Sequence, residues 1–172
     1  MLLGMTARAN STASLNGSAT PRGAASTGYF RYATSSPGSC NDSFGTRAPA
    51  TGGSALGSGY GNQSFAQAPT GLSPGTTYYF CAIAQNSVGT GFGAVMSFTT
   101  GAAPPSVTTL APSMISGVAA TLNGTGTANG SASTGYFRYG TTNPGTCTDT
   151  FGTRAPAANG TSLGSGSTPT SF

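Results

Sequence analysis

Residues 76–85, TTYYFCAIAQ, decide the fold class of this chain of 172 residues. Hydrophobic side chains recur at every second position along this stretch. One set is Tyr78, Phe80, Ala82 and Ala84, and the other is Tyr79, Cys81 and Ile83. A period of two places successive side chains on opposite faces of an extended chain. The stretch therefore predicts a β-strand.

Three further stretches alternate in the same way, namely TASLNG at residues 12–17, TGYFRYA at 27–33 and GAVMSFTT at 93–100. Clusters of Gly, Pro, Asn and Ser separate the stretches, and none sustains the 3.6-residue period of a helix. In the first stretch, Asn16 and Gly17 form a dipeptide that is typical of a tight turn between strands. The sequence predicts an all-β protein.

The chain contains a long internal repeat. A shift of 107 residues superposes residues 15–65 on 122–172 without a gap, and 32 of the 51 pairs are identical. The octapeptide ASTGYFRY occurs in both copies, at residues 25–32 and 132–139. Since a tandem unit of roughly 100 residues has the size of one β-sandwich domain, the repeat predicts a duplicated fold unit.

The composition restricts the function. Only 5% of the residues are charged, and Lys, Glu, His and Trp are absent. The net charge of +4 comes from arginines that are scattered singly, whereas nucleic-acid binding needs clustered phosphate contacts. No stretch reaches the roughly 18 apolar residues of a membrane helix. We therefore expect no nucleic-acid binding and no membrane insertion. Sparse charge with abundant Ser and Thr favours an extracellular or cell-surface location.

Residues 71–93 resemble part of a known family. Leu72, Pro74 and Tyr78 fit the LxPxTxY signature of fibronectin type III domains, in which the tyrosine hydroxyl bonds back to the chain in a tyrosine corner. The following AQNSVGTGFG resembles the hairpin between strands F and G of that family, and SFTT resembles the end of strand G. The resemblance implies tandem fibronectin type III-like β-sandwiches, similar to the repeats of large secreted or surface proteins of bacteria.

The repeat and the resemblance together define the predicted domains. Residues 1–100 form one fibronectin type III-like domain, residues 101–113 a Pro-rich linker with the start of strand A, and residues 104–172 a second, truncated domain. Residues 40–59, which follow strand C, are longer than is usual in the family and predict an extra strand and loop. The family's strand-B tryptophan and an Arg-Gly-Asp tripeptide are absent, so integrin-type adhesion does not carry over.

The second domain lacks counterparts of strands F and G, because a full copy would reach about residue 207. We expect these strands either from a longer polypeptide or from a neighbouring subunit that inserts a strand into the open edge. The N-terminal MLLGM is one apolar candidate donor, although Leu3 aligns with Leu110 of strand A.

The groups of ordinary enzyme chemistry are missing. Without His or Glu, the carboxylate side chains are Asp42 and Asp149, which are the same position in two repeats and cannot form a catalytic dyad. We expect Asp42 to pair with Arg47 or to cap its turn, and Asp149 to pair likewise with Arg154. Three scattered cysteines do not supply a zinc site. The sequence predicts no enzyme, no cofactor and no metal.

The cysteines predict one disulfide. In the fibronectin type III-like arrangement, Cys40 follows strand C and Cys81 lies on the neighbouring strand F of the same sheet. A bond between them would close a loop of about 40 residues and contribute about 3–4 kcal/mol. Cys147 repeats Cys40, but the counterpart of Cys81 would fall at position 188, outside this sequence.

Seven of the nine asparagines precede x-Ser or x-Thr and are candidates for glycosylation: Asn10, Asn16, Asn41, Asn62, Asn123, Asn129 and Asn159. Four of them are Asn-Gly pairs, which turn chemistry explains without a sugar. O-linked sugars on Ser and Thr are an equal alternative and would compensate for the scarcity of surface charge.

Two functions fit these observations. The first is a non-catalytic structural repeat of an extracellular filament, sheath or surface stalk, which assembles head-to-tail with copies of itself. The alternative is a carbohydrate-binding or adhesin module of a larger secreted protein. Tyr29, Tyr79 and Tyr136 could form an exposed stacking platform for sugars, although the favoured interpretation of these tyrosines is ordinary cross-strand packing.

Overall fold

The computed structural model describes residues 12–172, and these residues form antiparallel β-sheets and no helix. The predicted all-β class is therefore confirmed. Because it contains no helix, the described part of the chain also contains none that is long and apolar enough to cross a membrane. The chain divides into two compact units, unit 1 up to Gly101 and unit 2 from Ala102 to Phe172.

Unit 1 contains eight strands in its described part. They are β1 (Leu15–Ala19), β2 (Ser26–Ala33), β3 (Thr46–Ala48), β4 (Ser54–Gly57), β5 (Gln63–Gln67), β6 (Thr77–Gln85), β7 (Thr90–Phe92) and β8 (Met96–Thr99). β1 and β5 form one sheet. In the other sheet β2 and β6 are the central pair, with β3 and β4 on the free side of β2, and β7 and β8 on the free side of β6. The stretch after β2 thus forms two short strands, where one extra strand was predicted.

The core of unit 1 lies between these two sheets, in a sandwich-like arrangement. Leu15 and Phe65 come from the β1–β5 sheet, and Phe30 and Phe80 come from the β2–β6 sheet. The Phe30 and Phe65 rings are 5.0 Å apart, and the Phe30 and Phe80 rings 6.4 Å. The alternation of hydrophobic side chains in the sequence accounts for this packing, because it places Phe30 and Phe80 at the inward positions of their strands.

The dipeptide Asn16-Gly17 does not form a turn, contrary to the sequence prediction. It lies inside β1, where Gly17 pairs with Phe65 of β5. A Cβ on Gly17 would lie 2.8 Å from Cβ of Ala82 and 3.2 Å from the Phe30 ring. Glycine is needed here because the two sheets approach closely at this position. The Asn-Gly dipeptide, which suggested a turn in the sequence, therefore marks a site of close packing instead.

Unit 2 contains seven strands. They are β9 (Ser106–Ser113), β10 (Thr121–Thr127), β11 (Ser133–Gly135), β12 (Phe137–Tyr139), β13 (Thr153–Ala155), β14 (Thr161–Gly164) and β15 (Thr170–Ser171). β10 lies between β9 and β15, β11 pairs with β14, and β12 pairs with β13. β9 spans much of the stretch predicted to be a linker with the start of strand A.

The two units share their strand registers. Arg31 faces Arg47 across β2 and β3, and Arg138 faces Arg154 across β12 and β13. Ser18 pairs with Ser64 in unit 1, as the corresponding Thr125 pairs with Ser171 in unit 2. The shift of 107 residues found in the sequence therefore also relates the backbone pairings.

Candidate functional site

The loop after β2 folds back over the outer face of the β2–β6 sheet. A disulfide joins Cys40 of this loop to Cys81 of β6, and their Cα atoms are 5.9 Å apart. Cys40 and Phe44 pack on the outward side chains Tyr29, Cys81 and Ile83, which form a second, smaller apolar cluster. Both faces of β6 are therefore covered, one by the main core and one by this loop.

Four polar or charged side chains hold the loop in place, and we call Tyr29, Arg31, Asp42 and Arg47 the Tyr-Arg-Asp-Arg cluster. The Tyr29 hydroxyl donates to Asp42 Oδ2 at 2.8 Å, and Arg31 Nε lies 3.0 Å from Asp42 Oδ1. The Arg47 guanidinium stacks on the Tyr29 ring with its Cζ 3.8 Å from the ring centre. The stacked arginine contributes to the burial of Tyr29, which is 1% exposed.

The cluster shifts the pKa values of its acidic members in opposite directions. Burial, and then the hydrogen bond to the Asp42 carboxylate, raise the pKa of Tyr29 above its usual value. Partial burial alone would raise the pKa of Asp42, but the hydrogen bonds from Tyr29 and Arg31 outweigh it and lower that pKa. At neutral pH the cluster therefore holds a neutral phenol and an ionised carboxylate.

The predicted pairing of Asp42 with Arg47 is wrong, since Asp42 pairs with Arg31. Arg47 lies flat on Tyr29 and donates to the backbone carbonyl oxygens of Pro49 and Gly52. The planar guanidinium of Arg47, with its five N–H donors, suits this combination of stacking and carbonyl binding. Arg31 therefore pairs with the Asp42 carboxylate.

The predicted cap of the loop turn is also displaced by one residue. The Asn41 side-chain oxygen accepts from the backbone N–H groups of Ser43 and Phe44, each at 3.0 Å. Asn and Asp share this turn chemistry, and in this loop the Asp42 carboxylate is instead engaged by Tyr29 and Arg31.

Unit 2 contains the same cluster in Tyr136, Arg138, Asp149 and Arg154. The Arg154 Cζ lies 4.0 Å from the Tyr136 ring centre, and Asp149 pairs with Arg138 at 3.3 Å. The predicted Asp149–Arg154 pair is therefore wrong for the same reason as its counterpart. The Asp149 carboxylate raises the pKa of Tyr136, and the pKa of Asp149 is lowered, first by Tyr136 and also by Arg138.

The two units differ at the edge that β6 occupies in unit 1. There β2 pairs with β6 from Thr27–Gln85 to Ala33–Tyr79. In unit 2, no strand of the described residues pairs with the corresponding edge of β11 and β12. Cys147 is free and exposed. We call this edge, together with its core-facing side chains, the open edge of unit 2.

An apolar cleft of about 510 Å³ adjoins the open edge. Leu122, Phe137, Tyr139 and Ala155 are among its lining residues. Their counterparts in unit 1 include Leu15 and Phe30, which are fully buried. In unit 2, Leu122 and Phe137 are only half-buried and Tyr139 is 50% exposed. The cleft is thus the uncovered half of a core that unit 1 closes.

The residues of the predicted tyrosine corner lie together at the start of β6. The backbone N–H of Ser73 donates to the Tyr78 hydroxyl oxygen at 3.0 Å, and Leu72 is buried beside it. Pro74 precedes the strand, and its carbonyl accepts from the Thr76 hydroxyl. The buried Thr100 hydroxyl donates to the Ser73 carbonyl at 2.6 Å and links the corner to the end of unit 1.

The alternative of an exposed tyrosine platform for sugars does not hold in unit 1. Tyr29 is buried beneath Arg47, and Tyr79 is half-buried on β6. Tyr136 is half-buried beneath Arg154 in unit 2. The prediction that Tyr29 is exposed is wrong because alternation identifies the outward face of a strand but not the loop that covers it.

The predicted glycosylation candidates lie in different environments. Asn129 and Asn159 adopt positive φ angles of 57°, in turns, whereas Asn16 and Asn123 lie inside strands. Asn41 and Asn123 use their side-chain amides in hydrogen bonds to the chain. Asn62 and Asn159 are exposed. Asn10 lies outside the described residues.

Among residues 12–172, no three His, Cys, Asp or Glu side chains come together as metal ligands. No family model matches the chain, and neither a curated protein nor a solved structure matches it.

Proposed function

We propose that this chain is a non-catalytic structural repeat module of an extracellular filament, sheath or surface stalk. Its units are fibronectin type III-like sandwiches, and copies associate head-to-tail. The alternative, a sugar-binding module, loses the exposed Tyr29 on which its stacking platform depended.

One observation carries the proposal, namely that the same framework occurs twice in tandem, with the same strand registers and the same polar cluster in each unit. Repetition of one fold unit at a fixed period is typical of repeat architectures. In both units the side chains of the Tyr-Arg-Asp-Arg cluster contact one another. These internal contacts favour a structural role for the cluster over a catalytic one.

The fibronectin type III-like character rests on local geometry. Leu72, Pro74 and Tyr78 surround a backbone-to-tyrosine hydrogen bond at the start of β6, as the resemblance leads us to expect. The two-sheet core of unit 1 supports the same class.

The test is the mass of the purified chain in solution as its concentration rises, measured by light scattering and imaged by electron microscopy. We expect an open-ended series of oligomers. Tyr139→Lys places a charge among the exposed apolar side chains of unit 2, where Tyr139 is 50% exposed, and should weaken assembly. Tyr60→Lys makes the same exchange at a side chain that is 80% exposed in unit 1, and it should leave assembly intact. A chain that is monomeric at every concentration would contradict the proposal.

A further inference from the structure

Four Asn-Gly pairs occur in the chain: Asn16-Gly17, Asn123-Gly124, Asn129-Gly130 and Asn159-Gly160. In such a pair the asparagine side chain can react with the main chain, because glycine has no Cβ to obstruct the approach of its own nitrogen. The reaction requires that the side-chain amide and the glycine N–H both leave any hydrogen bonds that hold them. The four pairs have the same chemistry, so the structure around each decides which of them reacts.

Three of the four pairs are held by hydrogen bonds. In each of these three a carbonyl oxygen accepts from the side-chain amide, namely that of Ser14 for Asn16 at 3.3 Å, of Ala111 for Asn123 at 2.9 Å and of Pro104 for Asn129 at 2.8 Å. In two of them the glycine N–H is bound as well, Gly124 to the Phe172 carbonyl at 2.9 Å and Gly130 to the Ser165 carbonyl at 3.0 Å. These pairs must therefore break native contacts before they can react.

The Asn159-Gly160 pair lies in the turn between β13 and β14, and neither kind of bond holds it. Among residues 12–172, the Asn159 side-chain amide and the Gly160 N–H have no hydrogen-bond partner. Asn159 is exposed, with a φ angle of 57°. Its counterpart in unit 1, Gly52, is exposed as well. The exposure therefore belongs to this turn and does not depend on the open edge of unit 2.

The main-chain carbonyl of Asn159 is bound even though its side chain is not. Arg154 Nη2 donates to this carbonyl oxygen, and Arg154 Nη1 donates to the Pro156 carbonyl at 2.8 Å. The guanidinium also stacks on the Tyr136 ring, with its Cζ 4.0 Å from the ring centre. A fixed positive charge is thus directed at one particular carbonyl group of the reactive pair.

We propose that Asn159 is a self-modification site, at which the asparagine loses ammonia through a cyclic imide and opens mainly to isoaspartate. Arg154 directs the opening of the ring. The only co-reactant is water, and the reaction does not require that copies of the chain assemble.

The first step is an attack of the Gly160 nitrogen on Cγ of Asn159. A bond from this nitrogen to Cγ forms as the bond from Cγ to Nδ2 breaks, and ammonia leaves with the proton of the former Gly160 N–H. Water then attacks one of the two carbonyl carbons of the ring. The bond from that carbon to the Gly160 nitrogen breaks, the nitrogen takes a proton from water, and a carboxyl group remains. No group is oxidised or reduced.

The point of attack decides the product. Attack at Cγ gives aspartate, whereas attack at the main-chain carbonyl carbon gives isoaspartate, in which the main chain continues through Cγ. As water adds, negative charge develops on the oxygen of the attacked carbonyl. A preorganised donor such as Arg154 stabilises this charge on the main-chain side. In the isoaspartate product that oxygen belongs to a carboxylate, which binds a guanidinium more strongly than a carbonyl does.

The first experiment incubates the intact chain at mildly alkaline pH, digests it in acid and follows all four Asn-Gly pairs by mass spectrometry. The gain in mass from amide to carboxyl reports the reaction. We expect Asn159 to react fastest, by about fivefold for each hydrogen bond that another pair must break. Equal rates at the four pairs, or a faster reaction at any of the other three, would overturn the assignment.

Unit 1 offers a matched transfer of the site. There Gly52 and Gly53 occupy the same turn, Gly52 has a φ angle of 67°, and Arg47 donates to its carbonyl. Gly52→Asn should therefore react at a rate close to that of Asn159. Asn159→Gly, which copies the turn of unit 1, should abolish the reaction in unit 2. If the side chain introduced by Gly52→Asn survives as long as that of Asn123, the turn does not select the site and the proposal is wrong.

The role of Arg154 is tested by the ratio of isoaspartate to aspartate, which chromatography of the digested peptides separates. A synthetic peptide of residues 151–164 gives the ratio without the folded contacts. We expect the intact chain to exceed this ratio by about fivefold, the effect of one oriented hydrogen bond, and Arg154→Gln to return it to the peptide value. Arg47→Gln in the Gly52→Asn chain repeats the test in unit 1. A ratio in the intact chain equal to that of the peptide would refute the directing role.

Discussion

The two units contain nearly the same segment, at residues 26–33 and 133–140, once with a neighbouring strand on both sides and once with neighbours on one side. STGYFRYA forms the continuous strand β2 in unit 1, whereas STGYFRYG at residues 133–140 forms the two short strands β11 and β12, interrupted at Tyr136. Both copies have partners on one side, β3 and β4 or β13 and β14. Only unit 1 adds β6 on the other side. Strand continuity here therefore depends on the second partner rather than on the residues themselves.

The same comparison extends to burial. Leu56 and its counterpart Leu163 are both buried, at 6% and 5% exposure. Phe30 is fully buried, while its counterpart Phe137 is half-buried. One end of the core thus closes in both units, and the other end closes only where β6 covers it.

The largest expected difference between the units comes from deleting the central phenylalanine of each. Phe30→Ala should lower the free energy of unfolding of unit 1 by about 3–5 kcal/mol, because it removes a fully buried aromatic side chain. Phe137→Ala should cost unit 2 less than half as much, since part of its ring already contacts water. Amide exchange, followed separately in peptides from each unit, measures both values. Equal losses would mean that the core of unit 2 is closed.

The disulfide gives the next largest effect. Reducing Cys40–Cys81 should destabilise unit 1 by about 3–4 kcal/mol, through the entropy that the unfolded chain regains when its 41-residue loop opens. The measurement is chemical unfolding with and without reductant in a Cys147→Ser background, where no other thiol contributes. Exchange in unit 2 serves as the internal control and should not change. A reductant effect of the same size in both units would refute this assignment.

A smaller effect is expected where an aromatic ring lies on a glycine. A Cβ on Gly28 would lie 3.0 Å from the Phe65 ring, and that ring is held by Phe30. Gly28→Ala should therefore cost about 1–3 kcal/mol of unit 1 stability through overpacking. Gly89→Ala is the matched control, because its Cβ would meet nothing within 4 Å. Thermal unfolding of the two variants tests the difference, and equal midpoints would show that the ring moves freely.

The smallest effect should appear in the dependence of stability on pH. Asp42 has a lowered pKa when folded, so its contribution is present above the unfolded pKa and is lost as pH falls through the folded value. Tyr29 has a raised pKa, so its contribution is present below the unfolded pKa and is lost as pH rises through the folded value.

Asp42→Asn should remove the acid-side loss from unit 1 and leave that of unit 2, where Asp149 remains. The measurement is unfolding of wild type and variant between acidic and neutral pH. Asp149→Asn is the reciprocal control. If Asp42→Asn leaves the acid profile of unit 1 unchanged, the Asp42 contacts do not contribute to its stability.

Much of this fold could be predicted from the sequence, because a period of two and an internal repeat are visible along the chain. The inward positions of Phe30 and Phe80 follow directly from alternation. The Asn16-Gly17 turn could not be predicted correctly, since glycine serves both turns and close packing, and only the facing residues Phe30 and Ala82 decide between them.

The pairing within the Tyr-Arg-Asp-Arg cluster was harder to predict from the sequence than the fold. Asp42 has two arginines within reach, and proximity in sequence favours Arg47. The outcome depends on the Tyr29 ring, which takes Arg47 by stacking and leaves Arg31 for the carboxylate. The one signal available was that the Tyr, Arg, Asp and Arg of unit 1 recur at the same positions in unit 2.

The disulfide also limits how far a stretched module can extend. When tension unfolds unit 1, the Cys40–Cys81 bond keeps the loop between these two cysteines, which are 41 positions apart, out of the path of the force. At about 3.4 Å per extended residue, roughly 140 Å of chain is withheld from the extension. In a fibre built from such units, a module that carries this bond would therefore extend less under tension than one in which the bond is reduced.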